Sequence, residues 1–269
     1  MLIYGRDIRD KIKAQVKDEA SKRKLAMTII QVGAEADSEV YIRNIKKFGT
    51  ETGVDVTILN LDIETTEEKL IEIVNDLNND PLVTGIMIQE PLPKHIDSDL
   101  VVDCMDPRKD VEGVHNYNLG KLISKQKGVY PSTPKAIVTM IKEFDIPIEG
   151  QKVVIVGRST IVGHPLANMM TAEHGTVTLC HSRTKDLAGE TRQADILIAA
   201  IGKAEFITAD MVKDDVVIID AGINFTSEGK LVGDVNEEAK AKASYASAVP
   251  GGVGVITVAE LFASLCMLD

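Results

Sequence analysis

VVIVGRSTIVGHPLA, residues 153–167, sets the fold. Val153 to Val156 is an unbroken β-branched run, the signature of a strand buried on both faces. A turn bounded by Gly157 and Gly163 follows, and His164 opens a helix with Pro165 in its first turn. A strand that feeds a helix through a glycine turn aims backbone N–H groups and the helix N-terminus at one point. A pyrophosphate fits there. The spacing is not G-x-G-x-x-G, because Ser159 stands where the second glycine would be. An ordinary β–α turn has the same outline, so the motif by itself leaves both readings open.

The flanking sequence repeats the alternation. Downstream, TVTLCHS (176–182), ADILIAAIG (194–202) and DVVIIDAG (215–222) read as further strands. Upstream, LAMTIIQVG (25–33), VDVTILNL (54–61) and VTGIMIQ (83–89) are strands, separated by helical patterns at 38–52 and 65–80. A helix is also expected at 6–23, and Asp37 or Ser38 is the expected N-cap of the next one. Strands alternating with helices predict an α/β fold with parallel sheets covered on both faces. The character changes at KLISKQKGVYPSTP (121–134), after which a helix is expected at 135–144. The last apolar helix, 257–268, is placed to pack back on the first domain. The expected division is therefore 1–134 plus 256–269, and 135–255.

The chain has 269 residues, and two domains are the expectation at about 150 residues each. A net charge of −11 argues against nucleic acid or an anionic membrane as partner. The absence of tryptophan argues against base-stacking platforms. Cys104, Cys180 and Cys266 form no C-x-x-C, which suggests neither a disulfide framework nor a zinc site and fits a reducing cytosol. His95, His115, His164, His174 and His181 show no ligand-like pairing, and no metal is expected. The N-terminus has no apolar signal core, and no run approaches the roughly 18 apolar residues of a membrane span.

The strand at 176–182 bears on which dinucleotide would bind. An NAD site usually ends this strand with an acid, which binds the ribose 2′-hydroxyl and repels a 2′-phosphate. Here it ends Cys180-His181-Ser182-Arg183, with no acid. Arg158, Ser182 and Arg183 can instead give charge-assisted hydrogen bonds to a phosphate, so NADP is preferred over NAD. A lone surface arginine is the commoner case, and a comparison of the two affinities decides between them.

Six motifs then occur in order and at compatible spacing: GIMIQEPLP (85–93), KDVEGVHNYNLG (109–120), PSTP (131–134), GRSTIVGHP (157–165), DAGIN (220–224) and VPGGVG (249–254). Together they resemble the methylenetetrahydrofolate dehydrogenase/cyclohydrolase family, over residues 3 to 265. The resemblance implies a folate-binding domain, a Rossmann-like dinucleotide domain, a cleft between them and a homodimer. It implies NADP-dependent oxidation of 5,10-methylenetetrahydrofolate to the methenyl form, followed by hydrolysis to 10-formyltetrahydrofolate.

The family's tyrosine falls on Tyr41 and its folate-facing glutamine on Gln89. Thr133, Gly157, Ser159, Gly163, Gly251 and Gly252 fall on dinucleotide and cleft positions, and Arg158 and Ser182 on the 2′-phosphate contacts, with Arg183 beside them. Four positions depart. The catalytic lysine expected four residues after the tyrosine is Ile45. The folate-binding aspartate of D-V-D-G is Glu112, the cysteine of P-C-T-P is Ser132, and the proline after P-G-G-V-G is Val255. Glu112 is expected to accept bidentately from the pterin's amino-pyrimidine edge.

Ile45 matters because the two reactions ask for different things. Hydride transfer needs two aligned rings and no proton-trading side chain. Hydrolysis needs an acid–base group, typically worth 10²–10⁴-fold. Isoleucine cannot supply one, and Lys46 lies about 100° around the helix. The expectation is a dehydrogenase with little cyclohydrolase activity. The alternatives are a bifunctional enzyme with a substitute for the lysine, and a non-catalytic folate or nucleotide sensor. Tyr41, Ile45, Phe48 and Thr52 also read as a plain core stripe.

Overall fold

The computed structural model describes residues 1–33, 36–226 and 228–268, and for residues 36–39 the backbone alone. The N-cap expected at Asp37 or Ser38 lies outside the side chains described. The chain divides into two compact units, Lys11–Tyr130 with Val258–Asp269, and Met1–Asp10 with Pro131–Thr257.

The chain opens with β1 (Leu2–Ile3) and α1 (Arg6–Lys22). Then follow β2 (Ala26–Val32), α2 (Ala36–Thr52), β3 (Asp55–Leu61), α3 (Glu67–Asn79), β4 (Gly85–Ile88), α4 (Ser98–Cys104) and α5 (Asn116–Ile123). β2, β3 and β4 form a parallel sheet in the order β3-β2-β4. Its two faces are separate. Ile30, Val32, Ile86 and Ile88 pack with Leu70 and Val74 of α3 and Val101 of α4. The other face lies under α2, where a Cβ on Gly49 would meet Val56, the register partner of Met27. Thr66 caps α3 by accepting from the Lys69 N–H, and Asp97 caps α4 through the N–H groups of Asp99 and Leu100.

The remaining elements are α6 (Ser132–Glu143), β5 (Lys152–Val156), α7 (Gly163–Ala172), β6 (Thr176–Cys180), α8 (Leu187–Thr191), β7 (Ile196–Ala199), β8 (Val217–Asp220), β9 (Asn224–Phe225), β10 (Leu231–Val232), α9 (Glu237–Lys242), β11 (Tyr245–Ser247) and α10 (Val253–Leu265). Six strands form one sheet in the order β1-β11-β8-β7-β5-β6, all parallel. β9 and β10 make a small antiparallel hairpin. Val153 to Val156 are fully buried, as an unbroken apolar strand requires.

Three expectations need correction. Residues 1–10 do not belong with the first domain. β1 pairs in parallel with β11, the Met1 ammonium donates to the Ser244 carbonyl, and Gly5 N–H donates to Gly251. β1 has two residues and β11 three, too few to give a local sign of that pairing. α6 begins at Ser132 rather than 135, because Pro131 sits at the N-cap and Pro134 falls inside the first turn, where its missing N–H costs nothing. The last helix begins at Val253 rather than 257.

As expected from the pattern, the end of α10 packs in the first unit. Phe262 is fully buried and its ring lies 4.7 Å from that of Phe48 on α2. Phe262→Ala is expected to destabilise this unit by about 3–5 kcal/mol, read as a lower urea midpoint in fluorescence-free far-UV circular dichroism.

Candidate active site

In the first unit, α2 sets the geometry. Tyr41 and Ile45 lie one turn apart on the same face as Phe48 and Thr52. Ile45 is 0% exposed, and Phe48 and Thr52 are buried. Thr52 turns its hydroxyl back on the Phe48 carbonyl at 2.8 Å, so the stripe presents almost no free polarity. Lys46 and Lys47 are exposed, and neither enters the face.

Gln89 follows β4 directly, and its N–H donates to the Ile30 carbonyl at 2.9 Å. Its Nε2 donates to the Glu90 carbonyl at 2.6 Å, whereas its buried Oε1 has no partner. Glu90 accepts from the Leu92 N–H and the Ser98 hydroxyl.

Glu112 lies in a loop held by Asp110. Asp110 is completely buried and accepts from Gly113 N–H at 2.8 Å, His115 N–H at 2.9 Å and Asn118 Nδ2 at 2.8 Å. Asp110 also bridges in parallel to Ile86, which fixes the loop to β4. Glu112 itself is half-buried and makes no hydrogen bond or ion pair with a described residue. Burial pushes its carboxyl up to about 8, helped by the neighbouring Asp110 and Glu90 charges. The Tyr41 phenol is raised by burial and, to a lesser degree, by the Glu112 charge. No cation contributes to either shift. The direction favours the protonated form of Glu112 near neutral pH. This shift works against the bidentate carboxylate expected from the sequence, because burial among acids favours the protonated form.

In the second unit, β5 sits where the strand order reverses: the chain runs outward to β6 and then returns to β7 on the other side. Ligands in such sheets bind beyond the carboxyl ends of these strands. Gly157 occupies that point with φ +127, and a Cβ there would lie 2.2 Å from the Ala200 carbonyl after β7. A Cβ on Gly163 would lie 2.1 Å from the Gly157 carbonyl. Both positions need glycine for the turn to close. Ser159 Oγ accepts from the Val162 N–H at 3.1 Å, and no side chain caps α7. Gly157 N–H donates to Cys180, joining the ends of β5 and β6. Arg158, Ser182 and Arg183 are all exposed there, and neither guanidinium pairs with a described residue. Thr133 lies in the first turn of α6, beside Ser132, whose buried hydroxyl has no partner. Gly251 and Gly252 precede α10.

The sequence reading did not single out Asp234. Its carboxylate accepts from the N–H groups of Ile201, Gly202 and Lys203 at 2.7, 3.1 and 2.8 Å, and from Asn224 Nδ2 at 2.9 Å. It thereby fixes the loop after β7. Asp220 in turn accepts from the Asp234 and Val235 N–H groups and lies 3.4 Å from the buried Lys240 ammonium. Burial raises the Asp220 carboxyl, against the pull of those N–H groups and Lys240. The Asp234 bonds to Ile201, Gly202 and Lys203 join residues more than thirty positions apart, and no local pattern signals them.

The second unit's sheet and turn define a dinucleotide-binding α/β protein, with a cluster of acids, phenol and amide in a separate α/β unit. Matches to known proteins narrow this. Residues 3–112 match the catalytic domain, and residues 131–268 the NAD(P)-binding domain, of tetrahydrofolate dehydrogenase/cyclohydrolase. The chain belongs to that family. It is 57% identical over 269 residues to the bifunctional protein FolD 2 of Syntrophomonas wolfei, covering 100% of this chain and 99% of the relative. The bifunctional FolD enzyme of Campylobacter jejuni superposes with a TM-score of 0.96 at 38% identity, covering 99% and 97% of the two chains. The Trypanosoma brucei enzyme, solved with NADP cofactor and an inhibitor, gives 0.94 at 29% identity, covering 100% and 96%. Among the described residues, no helix is long and apolar enough to cross a membrane and no group of acids, cysteines and histidines is arranged to hold a metal.

The pH dependence of stability tests the state of Glu112. The folded carboxyl keeps its proton to about pH 8, whereas its ordinary value is 4.5. The folded state binds the extra proton across that window. Its contribution is complete below the lower value and is lost as pH rises through the upper one. Glu112→Gln is expected to flatten the decline in urea midpoint across this window; an unchanged slope would show Glu112 ionised in the native protein.

Proposed function

We propose that this protein oxidises 5,10-methylenetetrahydrofolate to the 5,10-methenyl form with NADP as acceptor, and hydrolyses the product little. The observation that carries the proposal is Ile45, wholly buried one helical turn from Tyr41. Bound NADP supplies the nicotinamide ring that takes the hydride. Gly157, Ser159 and Gly163 form the turn that would hold its pyrophosphate. Arg158, Ser182 and Arg183 would meet the 2′-phosphate, since no acid stands at the end of β6. Thr133, Gly251 and Gly252 would line the dinucleotide and cleft positions, as the family's motifs imply.

In the first unit, Tyr41, Gln89 and Glu112 would bind and orient the folate. Loss of a hydride leaves a cation shared between two folate nitrogens, and no side chain has to move a proton. Hydrolysis differs. Water adds to that carbon and loses a proton, the carbon–nitrogen bond breaks, and the departing nitrogen gains a proton. Ile45 has no atom that takes part in either transfer. A homodimer and a cytosolic location belong to the same proposal and rest on the family.

A second reading keeps both activities, with Glu112 in place of the lysine. Two findings favour it: the Syntrophomonas relative is named bifunctional, and burial pushes the Glu112 carboxyl up to about 8, near the pH at which an acid–base group works best. Steady-state assays of both reactions separate the two. Under the first reading hydrolysis is near background, and Ile45→Lys raises it by roughly 10²-fold or more while oxidation survives. Rapid hydrolysis by the unmodified protein, lost in Glu112→Gln, establishes the second.

A further inference from the structure

Gln31 stands in the last turn of the β2 ladder, between Ile30 and Val32, and is only 6% exposed. Its neighbours Ile30 and Val32 point into the cluster with α3 and α4. Strand alternation therefore turns Gln31 to the opposite face, the one under α2 that Met27 and Val56 share. That helix carries Tyr41 and Ile45. Gln31 Nε2 is buried and has no hydrogen-bond partner among the described residues.

Gln89 completes the picture. The β2–β4 register pairs Ile30 with Ile88, so the next rung sets Gln31 beside Gln89. Gln89 Oε1 is likewise buried without a partner. An unpaired amide donor and an unpaired amide acceptor thus lie side by side. They also stand at the carboxyl ends of β2 and β4, where the order β3-β2-β4 reverses, the place where open α/β sheets bind ligands. A buried polar group without a partner is costly, and a protein interior rarely keeps two together without something for them to bind.

We infer that Gln31 is a further substrate-binding residue, donating a hydrogen bond through Nε2 to the bound folate beside the acceptor of Gln89. The pair suits a heteroaromatic lactam edge, in which a carbonyl oxygen adjoins a ring N–H. This inference rests on the folate reading of the first unit and adds a residue to it.

The test is Gln31→Met, which preserves length and removes both polar ends. Tetrahydrofolate affinity is measured by titration calorimetry, the KM values for methylenetetrahydrofolate and NADP by steady-state kinetics, and stability by thermal unfolding. The inference predicts folate affinity weakened about three- to tenfold, an unchanged KM for NADP, and an unfolding temperature equal or higher. Gln31→Glu, which replaces the donor by an acceptor, should weaken folate at least as much. Unchanged folate affinity in a folded Gln31→Met protein overturns the inference and assigns the donor to a buried water. Equal weakening of folate and NADP, with a lower unfolding temperature, also overturns it. If the unmodified protein binds tetrahydrofolate but does not oxidise its methylene form, the proposed reaction falls while the calorimetric comparison still decides the role of Gln31.

Discussion

An isoleucine side chain neither takes nor releases a proton, and Ile45 fills a fully buried position on the face it shares with Tyr41. Without a cation on this face, nothing offsets the burial of Glu112 between Asp110 and Glu90, and its carboxyl stays protonated to about pH 8. The Tyr41 phenol is raised for a related reason, burial reinforced by Glu112. Such a pocket orients a substrate through neutral donors and acceptors. Ile45 itself offers no atom for a proton transfer, and under the proposed function this sets hydride transfer apart from hydration.

The two units apply one architectural rule to different chemistry. In each, a parallel sheet reverses its strand order at one strand, β2 in one and β5 in the other. In each, the unpaired or exposed polar groups gather at the carboxyl end of that strand. Around β5 they are backbone N–H groups and arginines, shaped by Gly157 and Gly163, whose neighbours leave no room for a Cβ. Around β2 they are the Gln31 and Gln89 amides, aimed from buried positions. Rigidity comes from satisfied carboxylates just behind: Asp234 holds the loop after β7, and Asp110 the loop bearing Glu112.

Much of this was legible in the sequence. The apolar runs located β2 to β8, the most buried of which need no partner to be recognised, but not the three-residue β11 inside the larger sheet. The glycine turn, and Tyr41 and Ile45 at helical spacing, were legible for the same local reason. What escaped depends on residues distant in the chain. β1 is two residues long and acquires meaning only from β11. Asp234 is defined by donors in a loop far upstream. Gln31 looked like one polar residue in an apolar strand, and its significance came from the register with β4. Glu112 was read as an aspartate one methylene longer, whereas its protonation depends on which charges surround it and which are missing.

The central claim is that Ile45 leaves the oxidised folate stranded before water can be added. A single turnover tests it most directly: purified protein in excess over 5,10-methylenetetrahydrofolate is mixed with NADP, and NADPH and methenyl absorbance are followed together. The account predicts that the methenyl form accumulates in step with NADPH and then decays at the enzyme-free rate. Methenyl absorbance that vanishes as fast as NADPH appears would contradict it.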